Sequence, residues 1–246
     1  MWVIAHRGAS GVAPENTLAA FRRAAEMGAA FIETDLRLSR DARLVALHDD
    51  TLDRTTNGSG PVAAKTLEEL RKLDAGAWFR EQASDAPSGK FAGERIPTIE
   101  EVLAVGRERD LGLYLEIKAP GASGAEHAVV GAVRAANEVG RTVVLSFDAG
   151  VIERVRKYEP LLMTGLLFSE RLPDAVKRAV AVGARQLLPR ADRITPELLA
   201  EAHENDLKVA AWTVNDPSQM KRLMAEGVDG IITNYPEELL PLLTPA

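Results

Sequence analysis

Short apolar runs alternate with helix-period patterns along most of the chain, which is the signature of repeated βα units. The first run, Trp2–His6, predicts a strand, and Glu15 to Met27 predicts a helix with Leu18, Phe21 and Ala25 on one face. Gly28 closes that helix, and Ala30–Asp35 reads as the second strand. Further strands are predicted at Leu113–Lys118, Thr142–Phe147, Met163–Phe168, Arg185–Pro189, Lys208–Thr213 and Val228–Thr233. Helices fall between them, near 98–109, 125–139, 149–158, 173–183, 196–205 and 217–226. Start signals stand at Thr98 before Ile99-Glu100-Glu101, at Thr195-Pro196 and at Asp216-Pro217; Gly140, Gly183 and Gly227 are stop signals.

Eight such strands with intervening helices predict an α/β fold, a closed (β/α)8 TIM barrel. An open doubly wound sheet is the competitor. It would want a glycine-rich phosphate turn after the first strand, and the GASG that follows His6-Arg7 matches that fingerprint poorly. One run, Arg43–His48, stands outside the count. Only Ser39–Arg43 separates it from the extension of the second strand, too few residues for a parallel crossover and right for a hairpin. Leu36–Leu47 is therefore expected to rise above the barrel mouth and turn back, placing His48 over the rim that carries Glu33 and Asp35.

From Asp49 to Pro97 the chain is turn-rich (TTNGSGP, SDAPSGK, FAGERIP), with one short helix near Thr66–Leu73. We read residues 1–246 as a single domain, with 36–97 as an insertion in the second βα loop, a small cap of the kind in which barrels carry selectivity.

Composition narrows the function. A chain of 246 residues that is 46% hydrophobic can build one large core, and a net charge of −6 argues against a general nucleic-acid binder. The absence of cysteine removes disulfides, a thiolate nucleophile and thiolate zinc sites. No apolar run approaches the roughly eighteen residues of a membrane span, and Met1 leads straight into a strand; the expectation is a soluble, cytoplasmic protein.

The chemistry concentrates where apolar runs stop. IAHRG, FIETD, LVALHD and LYLEIK end on His6, Arg7, Glu33, Asp35, His48, Glu116 and Lys118, and an apolar strand leaves its last side chains at the rim. Glu33 and Asp35 lie two apart, so both point to one face; alone they would read as solvated acids. Glu116 and Lys118 share a face in the same way, and alone would read as a salt bridge. Three carboxylates converging from neighbouring strands repel one another unless a cation neutralises them, and an all-oxygen set suits a hard divalent ion, magnesium or calcium, with manganese a further candidate.

His6 and His48 can exchange protons near neutral pH, whereas His127 and His203 lie in helical patterns and read as surface residues. Arg7 and Lys118 suit anionic oxygens. Two bases, two cations and a metal together describe phosphoryl transfer. Trp212 could pack against a substrate or against the core; Trp2 and Trp78 read as structural. Glu15 and Asn16, at the start of the first helix, could brace the HRG turn, and Asn234 could line the mouth. Arg22-Arg23 reads as a solvated helix face.

AHRGAS…PENTLAAF, IETDLRLSRDARLVALHDDTLDRTTNGSG, RIPTIEEVL, LYLEIK, LSFD, AWTVN and GVDGIITNYP together resemble the glycerophosphodiester phosphodiesterase family, a phosphatidylinositol-phospholipase-C-like TIM barrel, nearly end to end. Ser39 stands where the family often has Thr, and Ala119 precedes Pro120 in a stretch that is often shorter. The resemblance implies a barrel with an insertion after the second strand and a metal on Glu33, Asp35 and Glu116. It implies His6 and His48 as the acid–base pair, and Arg7 and Lys118 as phosphate ligands. The implied reaction cleaves a small-molecule glycerophosphodiester to sn-glycerol 3-phosphate and an alcohol. Rival readings are lysophospholipase D-type cleavage, for which Trp78, Phe79 and Phe91 would supply the apolar surface, arrest at a cyclic phosphate, and a non-catalytic phosphate-ligand binding protein.

Overall fold

Eight of the nine strands in the computed structural model, which describes residues 1–79, 89–118 and 124–243, run parallel and close on themselves. They are β1 (Trp2–Ala5), β2 (Phe31–Leu38), β4 (Gly112–Ile117), β5 (Thr142–Ser146), β6 (Met163–Phe168), β7 (Gln186–Pro189), β8 (Lys208–Ala211) and β9 (Gly230–Thr233). Closure is made by β1, which pairs with β9 through Trp2↔Gly230 to Ala5↔Thr233 and with β2 through Ile4↔Phe31 and Ala5↔Ile32. The fold is a (β/α)8 TIM barrel.

Period-two alternation sorts the strand residues. Ile4, Tyr114, Val143, Leu145, Leu167, Leu188, Ala210 and Ile232 fill the barrel interior. The opposite faces pack against the surrounding helices α1 (Leu18–Met27), α3 (Ile99–Glu108), α4 (Ala125–Ala135), α5 (Ala149–Tyr158), α6 (Ala175–Ala181), α7 (Pro196–Glu204) and α8 (Pro217–Glu226). Helix boundaries follow local chemistry. Thr98 and Glu101 form a reciprocal capping box on α3, Pro196 and Pro217 open α7 and α8, and Gly227 ends α8 in the left-handed conformation.

Two expectations need correction, and one helix was not anticipated. The first helix starts at Leu18, capped by the Thr17 hydroxyl, because Asn16 is left-handed (φ 57°) and cannot continue a helix; Glu15 and Asn16 belong to the preceding loop. Helix α4 stops at Ala135, not at 139, because Asn137 is also left-handed (φ 59°) and Val139–Arg141 forms a 3-10 turn. A further helix, α9 (Pro236–Leu243), packs against α1, α8 and β1; Pro236 and Pro241 had disguised its pattern.

The hairpin forms as expected. β2 outruns its parallel neighbours, and Leu36, Arg37 and Leu38 pair antiparallel with Ala46, Val45 and Leu44 of β3 (Leu44–Ala46). Ser39 organises the turn: its hydroxyl donates to Asp41 Oδ1 (2.6 Å) and accepts from the Arg43 N–H (2.9 Å). Beyond it, Val45, Leu47, Leu52, Val62, Leu70, Ala75 and Ile96 gather into a separate small core, with α2 (Leu67–Leu70) on its edge. Most of SDAPSGK and the Ala119-Pro120 step lie outside the described residues. No helix among the described residues is long and apolar enough to cross a membrane.

Candidate active site

Two or four residues on from the barrel interior, five strands deliver side chains of the same parity to the mouth. Ile4 leads to His6, Phe31 to Glu33 and Asp35, Tyr114 to Glu116 and Lys118, Leu145 to Phe147, and Ala210 to Trp212. After Ala5 the chain turns sharply through Arg7 (φ 55°) and Gly8 (φ 80°). A Cβ on Gly8 would sit 2.6 Å from the Ala20 carbonyl carbon, so glycine is what lets this turn press against α1. The turn aims the Arg7 backbone N–H at Glu33 Oε2 (3.0 Å). Asn16 is buried behind it: its Nδ2 donates to Asp35 Oδ2 (2.9 Å), while its Oδ1 accepts from Thr34 Oγ1 (2.7 Å) and the Asp35 N–H (3.2 Å).

Glu33, Asp35 and Glu116 are 3%, 1% and 7% exposed, and each offers an oxygen within 4.8 Å of the others. The β2–β4 register explains this, since Asp35 lies directly opposite Glu116. Two cations reach in: Lys118 Nζ is 2.8 Å from Glu116 Oε1 and 3.2 Å from Asp35 Oδ1, and Arg7 Nε is 3.1 Å from Asp35 Oδ2.

Burial raises the pKa of every acid here; the neighbours decide the outcome. At Asp35 burial is outweighed by Arg7 and Lys118, which hold the carboxyl at about 2. Glu33 is pushed well up by burial and then by the charges of Asp35 and Glu116. Burial and Asp35 likewise push Glu116 up to about 7. Asp35 Oδ1, buried, has the Lys118 ammonium at 3.2 Å and no geometrically formed hydrogen bond among the described residues. Three buried carboxylates, each offering an oxygen to one point and sharing only two cations, fit a hard divalent cation.

Both histidines line the same cavity, each with its Nδ1 held by a neighbour. His6 Nδ1 lies 2.7 Å from Asn234 Oδ1, and its Nε2 is 3.9 Å from Glu33 Oε2. With the amide oxygen accepting, Nδ1 carries the hydrogen. Burial, then Arg7, lowers the His6 pKa to about 4, so the ring is neutral at neutral pH. Asn234 is held in turn by its N–H on Asn215 Oδ1 (2.9 Å). His48 sits where the hairpin returns, its carbonyl accepting from Arg37 Nε (2.8 Å) and its Nδ1 2.7 Å from Asp49 Oδ1. Its pKa is also lowered, first by burial and then by Arg7, against the pull of Asp35.

The cavity, of about 170 Å³, is lined by His6, Arg7, Glu33, His48, Glu116 and Lys118 together with Leu145, Phe147, Leu167, Trp212, Thr213 and Ile232. Asp35 lies beneath that lining. All eight residues expected to form the site are thus brought together. Trp212 donates Nε1–H to the Leu188 carbonyl (2.8 Å) and meets Phe147 edge to face at 5.5 Å. Phe147, half-exposed with Lys118 Nζ 5.8 Å from its ring, was missed; its signal was the strand parity that put Leu145 inside. Arg54 and Asp49 were missed too, though Asp49 adjoins His48 in the sequence. His127 and His203 lie on α4 and α7; His203 pairs with Asp229 at 2.9 Å.

A model of the glycerophosphoryl diester phosphodiesterase family matches residues 6–238. The chain is 43% identical, over 98% of its length and 97% of the relative's, to a glycerophosphodiester phosphodiesterase of Caldanaerobacter subterraneus subsp. tengcongensis. It is 33% identical to a glycerophosphodiester phosphodiesterase of Bacillus subtilis, covering 95% of this chain and 83% of that one. Among solved structures, an Oleispira antarctica phosphodiesterase in complex with the product sn-glycerol-3-phosphate superposes with a TM-score of 0.86 at 30% identity, over 98% of this chain and 96% of that one. By the family match and these relatives, the chain belongs to the glycerophosphoryl diester phosphodiesterase family.

Proposed function

We propose that this chain hydrolyses glycerophosphodiesters to sn-glycerol 3-phosphate and an alcohol, with one divalent cation on Glu33, Asp35 and Glu116 and proton transfer by His6 and His48. The observation that carries the reading is the buried three-carboxylate cluster at the cavity that two histidines and two cations also line. A divalent cation there would supply Lewis acidity beside the phosphate.

The chain's own residues do the rest. Arg7 and Lys118 hold the non-bridging oxygens and counter the charge that builds on them. His6, neutral and with Nδ1–H fixed on Asn234, takes at Nε2 the proton of the attacking hydroxyl, either water or the glycerol 2-hydroxyl. In the latter case a water then opens the cyclic phosphate, losing its proton to His48 while His6 returns one to the 2-oxygen. His48, backed by the Asp49 carboxylate that stabilises its imidazolium, gives a proton from Nε2 to the departing alkoxide. Trp212 and Phe147 present ring edges and faces to the carbon skeleton of the substrate.

Lysophospholipase D-type cleavage has thinner support. Trp78, Phe79 and Phe91, the aromatics available for a lipid groove, pack edge to face, Trp78 against Phe79 and Phe79 against Phe91, each at 5.7 Å, and Trp78 Nε1–H is spent on the Ala75 carbonyl. The test is release of glycerol 3-phosphate from a panel of water-soluble diesters, after chelation and with magnesium, calcium or manganese restored, lysophospholipids alongside. Metal-restored release from a soluble diester supports the proposal. Turnover of lysophospholipids alone moves the assignment to the lipid reading, and binding without turnover moves it to a ligand-binding protein.

A further inference from the structure

His48 poses a positioning problem that the barrel does not solve. His6, Arg7 and the three acids sit on or beside barrel strands, but His48 rides on an arm beyond the three-residue strand β3. Backbone contacts hold the arm itself, through the Leu47 N–H on the Asp35 carbonyl (3.0 Å) and Arg37 Nε on the His48 carbonyl (2.8 Å); the His48 ring is held by a chain of charged groups centred on Arg54. Arg54 Nη1 and Nη2 each lie 2.8 Å from an oxygen of Glu15, and its Nε and Nη2 lie 2.8 and 2.9 Å from the two oxygens of Asp49. Both pairings are bidentate, a geometry only the guanidinium fork can make. At one end Glu15 Oε1 also accepts from Arg7 Nη1 (2.8 Å). At the other, Asp49 Oδ1 holds His48 Nδ1 at 2.7 Å. Arg54 itself stands outside the cavity lining.

We propose that Arg54 is a positioning residue, which fixes Asp49 on His48 Nδ1 and locks the insertion arm to Glu15 and Arg7, so that His48 Nε2 faces the phosphate that Arg7 holds. The inference rests on the proton-transfer role given to His48 above. Without the clamp, Asp49 is free to rotate, the imidazole loses its fixed tautomer, and the arm loses its side-chain link to Glu15 and Arg7. Partners that orient a metal-ligating imidazole typically contribute about 10–100-fold, and we take the same scale for the ring of His48.

The test compares Arg54→Lys and Arg54→Met with the wild type, each loaded with magnesium. It combines steady-state kinetics on a soluble glycerophosphodiester with nitrogen-15 NMR of the His48 ring at pH 8, where the imidazole is neutral. The expected result is a kcat lowered about 10–100-fold in Arg54→Met, a KM within about threefold of wild type, and partial recovery in Arg54→Lys. The ring should be a single Nδ1–H tautomer in the wild type and a mixture in Arg54→Met. An Arg54→Met enzyme with kcat within about twofold of wild type overturns the proposal. So does a loss of kcat with the tautomer intact, or equal losses in both variants accompanied by equally lowered melting temperatures. A fully active His48→Ala enzyme would instead remove the role of His48, whereas the tautomer measurement reports on the clamp whether or not that role stands.

Discussion

Asp35 and Glu116 lie directly opposite one another on adjacent parallel strands, with Lys118 Nζ 3.2 Å from the first and 2.8 Å from the second. One ammonium cannot neutralise both, and Glu33 adds a third acid within 4.8 Å. Burial and the Asp35 charge push Glu116 up to about 7, and Glu33 moves in the same direction. A divalent cation must therefore displace protons to bind. We predict that magnesium binding releases protons and that affinity rises with pH through the region of pH 7. Calorimetry in buffers of different ionisation enthalpy measures both; a pH-independent affinity without proton release would show the acids to be ionised already.

Acid sensitivity follows from His6. Its folded-state pKa of about 4 lies below the unbound value of 6.5, so between those two pH values the unfolded chain holds the proton that the buried ring refuses. Stability then rises with pH across that window and is lost as pH falls through it. Relative to His6→Gln, the metal-free wild type should lose about 3 kcal/mol between pH 7 and pH 4. Paired urea denaturation series read this directly, and equal pH slopes in the two proteins would contradict it.

The two histidines should separate by leaving group. His48→Ala is expected to cut turnover of alkyl diesters by about 10²–10⁴, and to lose much less on a p-nitrophenyl diester, whose leaving group needs no proton. His6→Ala should lose a similar factor on both. The reverse pattern would exchange the acid and base assignments, and full activity of His6→Ala would remove that residue from the mechanism.

Asn16 is the prop under the metal cluster. Asn16→Ala strips Asp35 Oδ2 of its amide donor and leaves Thr34 Oγ1 without an acceptor, all in buried space. We expect a loss of about 1–3 kcal/mol in stability and about 10–100-fold weaker metal binding. Thermal unfolding and metal titration check the two parts, and unchanged metal affinity would show that Asp35 holds its position unaided.

Much of this was legible before any coordinates. Strand count and hairpin spacing yielded the barrel and the arm that carries His48, because buried strands and short connections leave strong local patterns. Parity placed Glu33 beside Asp35 and Glu116 beside Lys118. The misreadings share a cause in backbone conformation and long-range partners. Left-handed φ at Asn16 and Asn137 ended helical patterns that composition alone extended, and two prolines masked α9. The Glu15–Arg54–Asp49 chain joins residues up to 39 apart through polar side chains at the surface or half-buried, for which no periodicity exists.

The central claim is tested most directly by one titration: release of sn-glycerol 3-phosphate against added magnesium, in chelated wild type and chelated Asp35→Asn. The account predicts no release from the chelated wild type, saturable recovery as magnesium is added, and little recovery in Asp35→Asn at the same concentrations. Full release from thoroughly chelated wild type, or the same magnesium curve in both proteins, would contradict a metal-dependent reaction at Glu33, Asp35 and Glu116.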